Sequence, residues 1–191
     1  MKSANADVDY LSDGMTEALI NTLAQLPNLS VKPRSTVFRY KGRESEVKTI
    51  GRELEVRAVL NGRFVQRGDD IALFLSLIDT GTGNQIWGKQ YNRKLTGLVS
   101  LQSEVARDVS ESLVPKLSEA DEQKLAKSYT ENSEAYQLYL RGRYHWNKFT
   151  VEERQKALQS FEQAIAVDPN YALAYTGLAD TYTVMSFSSN E

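Results

Sequence analysis

Between Ala157 and Tyr182 the chain carries a pattern that few folds satisfy. Ala157, Phe161 and Ala164 recur at helical spacing, Asp168-Pro169-Asn170 interrupts them, and Tyr175, Leu178, Ala179 and Tyr182 resume the same period. Apolar residues three and four apart place one face of each segment against a neighbour, and Pro169 stops one helix as the next begins. The expected result is a staggered helical hairpin.

Composition narrows what such a hairpin can serve. The chain has 191 residues, 41% of them hydrophobic, enough for one domain or two small ones and for a soluble globular core. A formal net charge of -2, with no basic stripe, argues against direct binding to nucleic acid. The absence of cysteine removes disulfides, thiolate zinc sites and cysteine nucleophiles, and leaves the compartment open between cytoplasm and periplasm. No run of about 18 apolar residues occurs, so no membrane contact is expected of these residues, and any anchor would lie outside them.

Along the first half, residues 1–9 offer little to bury and read as a disordered leader. Met15, Leu19, Leu23 and Leu26 then form one face of a helix that Ser12 or Asp13 would cap and Pro27 would end. Leu29-Ser30-Val31-Lys32 alternates like a short strand, Ser35 to Tyr40 reads as a helical turn, and Glu46 to Leu54 as a second helix burying Val47, Ile50 and Leu54. The clearest β signal follows. Val56, Ala58, Leu60, Gly62 and Phe64 alternate up to a Gly68-Asp69-Asp70 turn, and Ile71, Leu73, Leu75 and Leu77 alternate after it. Thr80 to Asn84 turns the chain again into Gln85–Arg93, where Trp87 and Tyr91 share a face, completing a three-stranded antiparallel meander. Leu98, Leu101, Val105, Val109 and Leu113 describe a long helix that Pro115 would kink or end.

In the second half, Ser118 to Asp121 reads as a capping box for a short charged helix to Lys127, and 128–132 as a linker. Ser133 would cap a helix carrying Ala135, Leu138, Tyr139, Gly142 and Trp146 on one broad side. Thr150 with Glu153 would form a second capping box for Val151–Val167, after an inserted turn at 147–150.

Two resemblances organise these elements. The order small Ala157, aromatic Phe161, small Ala164, Pro169, then Tyr175, Leu178, Ala179 and Tyr182 resembles the tetratricopeptide repeat, a protein-binding scaffold. Upstream, Tyr10-Leu11-Ser12-Asp13-Gly14-Met15, Leu29-Ser30-Val31, Ile50-Gly51-Arg52-Glu53-Leu54, Leu60-Asn61-Gly62, Leu77-Ile78-Asp79-Thr80-Gly81-Thr82-Gly83 and Ile86-Trp87 resemble the module similar to the TolB amino-terminal domain, over about residues 10–117. That resemblance implies an α+β fold, a mixed sheet covered by helices, attached to bacterial regulators such as serine/threonine kinases, class III adenylate cyclases and winged-helix transcription factors. Family members carry an apolar strand before the Ser-Asp-Gly stretch. Residues 1–9 supply none, so an excised fragment is expected. The expected organisation is a leader over 1–9, the TolB-like domain over 10–127, a linker over 128–132, and a repeat region over 133–191 holding one full repeat and the first helix of another.

The catalytic inventory is thin. His145 has no cysteine and no fixed carboxylate in its own helix, so a packing role is expected and no metal site. Gly81-Thr82-Gly83 precedes a strand rather than a helix, which makes it a turn and not a phosphate loop. Asp69 and Asp70 lack a third ligand for calcium, and Trp87 and Tyr91 are expected to pack rather than to stack a base or sugar. No cofactor is implied. The resulting expectation is a non-enzymatic interaction and sensing module with a protein or peptide partner; a small-molecule sensor is the alternative and an enzyme a more distant one. In the tetratricopeptide pattern the concave groove is lined by outward residues of first helices. Aligning Gly142 and Ala179 as the packed small positions places Tyr139, Arg143, Trp146, Thr176, Asp180 and Thr183 there, unless Tyr139 and Trp146 pack within the chain. Uncovered apolar structure at both ends also suggests a weak homodimer.

Overall fold

The apolar stripe of the first helix runs further upstream than its capping residues suggest. The computed structural model describes residues 6–43, 46–114 and 116–188, and there α1 spans Ala6–Leu23. Ser12 and Asp13 therefore lie inside α1 and do not cap it. Val8, Leu11, Met15 and Leu19 form one continuous face, with Leu11 fully buried, and this extended stripe carries the helix back through residues 6–9. The expected disordered leader is thus helical over 6–9, and its first five residues lie outside the described ones.

After α1 the chain turns through Pro27. The strand expected at Leu29–Lys32 does not form: the segment joins no ladder among the described residues. α2 (Arg34–Val37) runs into a 3₁₀ turn at Phe38–Tyr40, and α3 (Val47–Leu54) follows, with Val47 and Ile50 buried as the spacing predicts and Leu54 partly exposed.

β1 (Ala58–Arg67), β2 (Asp70–Asp79) and β3 (Gln85–Lys94) form a three-stranded sheet in the order β1-β2-β3. Both pairings are antiparallel, with Phe64 opposite Leu73 and Leu73 opposite Tyr91. The sheet is therefore antiparallel among the described residues, and the mixed sheet is corrected on this point; the chain as a whole is α+β. Phe64, Ile71, Leu73, Leu75, Leu77 and Tyr91 share one face, as period-two alternation requires, and all are buried. At the second turn Asp79 Oδ1 accepts from the Thr82 amide at 2.7 Å and the Thr82 hydroxyl at 2.8 Å, an Asx arrangement that ties off the loop before β3.

α4 (Leu98–Leu113) lays Leu98, Leu101, Val105 and Val109 against that face. It ends at Leu113 with Val114 already extended, while Pro115 lies outside the described residues. Tyr91 donates to Asp108 on α4 at 2.5 Å, and Trp87 packs against the same core, so both aromatics serve the sheet–helix interface. α5 (Glu119–Ala126) opens with the expected capping box: Ser118 accepts from the Asp121 amide and the Asp121 carboxylate accepts from the Ser118 amide.

α6 (Ser133–Trp146), α7 (Val151–Val167) and α8 (Ala172–Ser188) complete the chain. Asn132, not Ser133, caps α6, accepting from the amides of Glu134 and Ala135; the Ser133 hydroxyl instead donates to the Thr96 carbonyl. The asparagine carbonyl, one residue earlier, reaches the free amides that the serine cannot. Thr150 caps α7 through the Glu153 amide, but only half of the expected box forms because the Glu153 carboxylate turns toward cations. One core cluster runs through the sheet, α1, α4, α6 and the start of α8, and the 128–132 segment is held down by the buried Thr130, which donates to Asp168 at 2.6 Å. Gly14 permits the α1–α6 approach, since a Cβ there would meet Leu140 at 2.9 Å.

Candidate functional site

Phe161 is the fixed point of the helical region. Its ring is fully buried on α7, and a Cβ built at Gly142 on α6 would lie 2.4 Å from it, or at Gly177 on α8 2.6 Å from it. Two glycines on flanking helices thus make room for one aromatic ring. Gly142 is a packed small position as expected. Ala179 is exposed, and Gly177, half a turn earlier, takes the packing role on α8. No helix follows α8 among the described residues to cover the Ala179 side, and Tyr175 and Tyr182 stand 47% and 52% exposed.

Of the six residues expected in a groove, the structure brings Arg143, Trp146 and Asp180 together. Arg143 donates through Nε and Nη2 to Glu17 Oε1 at 2.8 and 2.5 Å, and its Nη1 lies 3.7 Å from Asp180. Its guanidinium also stands 4.6 Å over the Trp146 ring, which packs in turn near Phe149. Tyr139 is set inward between Phe161 and Tyr171, with ring centroids 5.9 and 5.3 Å away. Thr176 and Thr183 are exposed on α8, each with its hydroxyl returned to a carbonyl one turn back, Ala172 and Ala179. An outer face of Thr176, Asp180 and Thr183 is therefore open, whereas Tyr139 and Arg143 are engaged within the chain.

The partner of Arg143 comes from a distant part of the sequence. Glu17 lies on α1, is 6% exposed, and gathers Arg143 on one oxygen and Asn147 at 2.8 Å on the other, with Arg34 Nε 3.0 Å from that second oxygen. The Arg34 contact has the distance of an ion pair without hydrogen-bond alignment, and Arg34 also covers the Phe38 ring at 3.8 Å. Burial pulls the Arg34 guanidinium below its ordinary value, against the opposing pull of Glu17. The sequence held one signal for this: Glu17 follows Gly14 by three residues, on the helical face that the glycine opens to close approach.

His145 does find a carboxylate, on the neighbouring helix rather than its own. Its Nδ1 lies 2.7 Å from Glu153, which also accepts from Lys148 and Lys156 at 2.8 and 2.7 Å. Lys148, Lys156 and His145 together hold the Glu153 carboxyl down at about 2. A wider apolar groove, of about 770 Å³, lies between α1, the 28–32 segment and the outer edge of β1, with Leu19, Val31, Leu60 and Phe64 in its walls.

No family model matches the chain. It is 30% identical over 177 residues to a Rhizobium meliloti (strain 1021) protein provisionally named adenylate cyclase 3. The match takes in 93% of this chain and 30% of the relative, so the chain spans under a third of that protein's length. This finding overturns the exclusion of enzymes made from the sequence: the relative carries an enzyme's name. Class III adenylate cyclases stand among the regulators that the resemblance of residues 10–117 implies, whereas these residues carry no catalytic motif that would point to an enzyme.

Proposed function

We propose that this chain is a partner-binding, regulatory part of a bacterial signalling enzyme of the adenylate cyclase type. It combines a module similar to the TolB amino-terminal domain, over 10–127, with a tetratricopeptide-like region over 133–191. The observation that carries the reading is the clamped Phe161: antiparallel helices staggered around one aromatic ring, with small residues on both flanking helices, make a stackable unit whose outer side is free for a protein or peptide. The name of the relative supports the enzyme context. The apolar groove beside β1 supports the TolB-like module, because the outer edge of β1 pairs with no strand among the described residues and could take the family's apolar strand.

The binding surface in this reading is Thr176, Asp180 and Thr183, bordered by Trp146, with Arg143 and Tyr139 setting the shape beneath. In the full-length protein, Asp180→Ala combined with Thr183→Ala should abolish association with the partner while the melting temperature stays unchanged, since these side chains are exposed. Association undiminished in a variant that melts normally would place the binding surface elsewhere.

A further inference from the structure

Where α1, α4, α6 and the start of α8 converge on the 127–130 segment, packing leaves a cavity of about 150 Å³. At roughly 30 Å³ per water this holds about five waters, or one small metabolite. Its wall is rich in donors. Tyr171 is 1% exposed and lines the cavity, yet its hydroxyl meets no protein acceptor among the described residues. The hydroxyl of Tyr139, which lines the same cavity, is likewise unmatched. The adjacent Tyr136 differs: its hydroxyl donates to Gln102 Oε1 at 2.6 Å. Neither hydroxyl is sealed off by packing, so both stay accessible on the wall of the cavity and can donate to a ligand that occupies it.

The charges fix the class of that ligand. Glu17 is the one carboxylate in the described wall, and both its oxygens are already taken by Arg143, Asn147 and Arg34. Lys127, also in the wall, lies 4.8 Å over the Tyr129 ring and pairs with no carboxylate among the described residues. Burial pushes the Tyr139 phenol up to about 12 and raises that of Tyr171 as well, so both remain donors at neutral pH.

We infer that this cavity binds a small carboxylate, whose oxygens accept from the Tyr139 and Tyr171 hydroxyls while Lys127 supplies the counter-charge. The wall comes from α1 and α4 on one side and from α6 and Tyr171 on the other. Occupancy therefore fastens the repeat region to the sheet-bearing region and makes the chain responsive to a metabolite. This inference does not rest on the partner-binding reading.

The test titrates the purified chain with acetate, pyruvate and L-glutamate at constant ionic strength. Acetamide and inorganic phosphate serve as comparisons, and the readouts are the Cζ resonances of labelled tyrosine and the melting temperature. At least one carboxylate should saturate, move the Tyr139 and Tyr171 signals, and raise the melting temperature. Tyr139→Phe and Tyr171→Phe keep the ring and remove an unmatched hydroxyl, so each should fold as the wild type does and weaken binding by about tenfold. Lys127→Gln should weaken it too. The inference is overturned by an absence of saturable response to all three carboxylates, by equal binding to the tyrosine variants, or by acetamide or phosphate binding as well as the carboxylates. Should one tyrosine variant fail to fold, the other carries the same comparison.

Discussion

Glu153 shows how one side chain can trade a capping role for a charge cluster. Its carboxyl lies well below the ordinary 4.5, at about 2, because Lys148, Lys156 and His145 favour the ionised form. A depressed carboxyl contributes stability that is full above its unfolded value and is lost as pH falls toward its folded one. Glu153→Gln should therefore lower stability at neutral pH by on the order of 1 kcal/mol, a modest figure because the lysine partners are partly exposed and screened. The gap between variant and wild type should close as pH falls from 4.5 toward 2, as measured by urea midpoints. Nearby, Phe149 sits in the left-handed region with φ of 59°, a conformation that asparagine tolerates and β-branched residues resist. In the same assay Phe149→Asn should be close to neutral, and Phe149→Val should be less stable than Phe149→Asn by about 1 kcal/mol.

At the scale of elements, α6, α7 and α8 depend on the Phe161 clamp. Phe161→Ala should cost about 3 to 5 kcal/mol, since a fully buried ring leaves a cavity that helices held on both sides cannot close. Gly142→Ala gains about 1 kcal/mol of helix propensity, but its Cβ would sit 2.4 Å from a ring that Gly177 on α8 also approaches closely. Overpacking wins, and the variant should melt at a lower temperature than the wild type. Elements whose signal is local were legible in the sequence: the β1-β2-β3 meander follows from alternation and turn residues, α7 from period and proline, and α5 from its capping box. What the sequence hid was tertiary. The start of α1 depends on Val8 and Leu11 having a core to meet, the Leu29–Lys32 segment alternates without a neighbouring strand to pair with, and Glu17 becomes a partner for Arg143 only when Gly14 lets α6 approach. The groove register takes Ala179 as a packed small position on α8, where Gly177 is the one that packs. Thr176, Asp180 and Thr183 kept their open placement, and Tyr139 turned inward because Tyr171 and Phe161 offer it a buried aromatic site.

On the scale of the whole molecule, one apolar core joins the sheet to α6 and the start of α8, and the buried Glu17 on α1 holds Arg143 on α6. The start of α8 is thus connected through packed side chains to α6, α1 and the sheet. The outer side of α8 is proposed to receive a protein partner in a cyclase-type signalling enzyme. A photo-crosslinking residue placed at Thr176 of the full-length protein in its native host tests this most directly, with the same residue placed at Asn92 on the exposed face of the sheet as control. The account predicts one discrete protein adduct from position 176 that Asp180→Lys eliminates and that position 92 does not give; no protein adduct from position 176, or the same adduct from both positions, would contradict it.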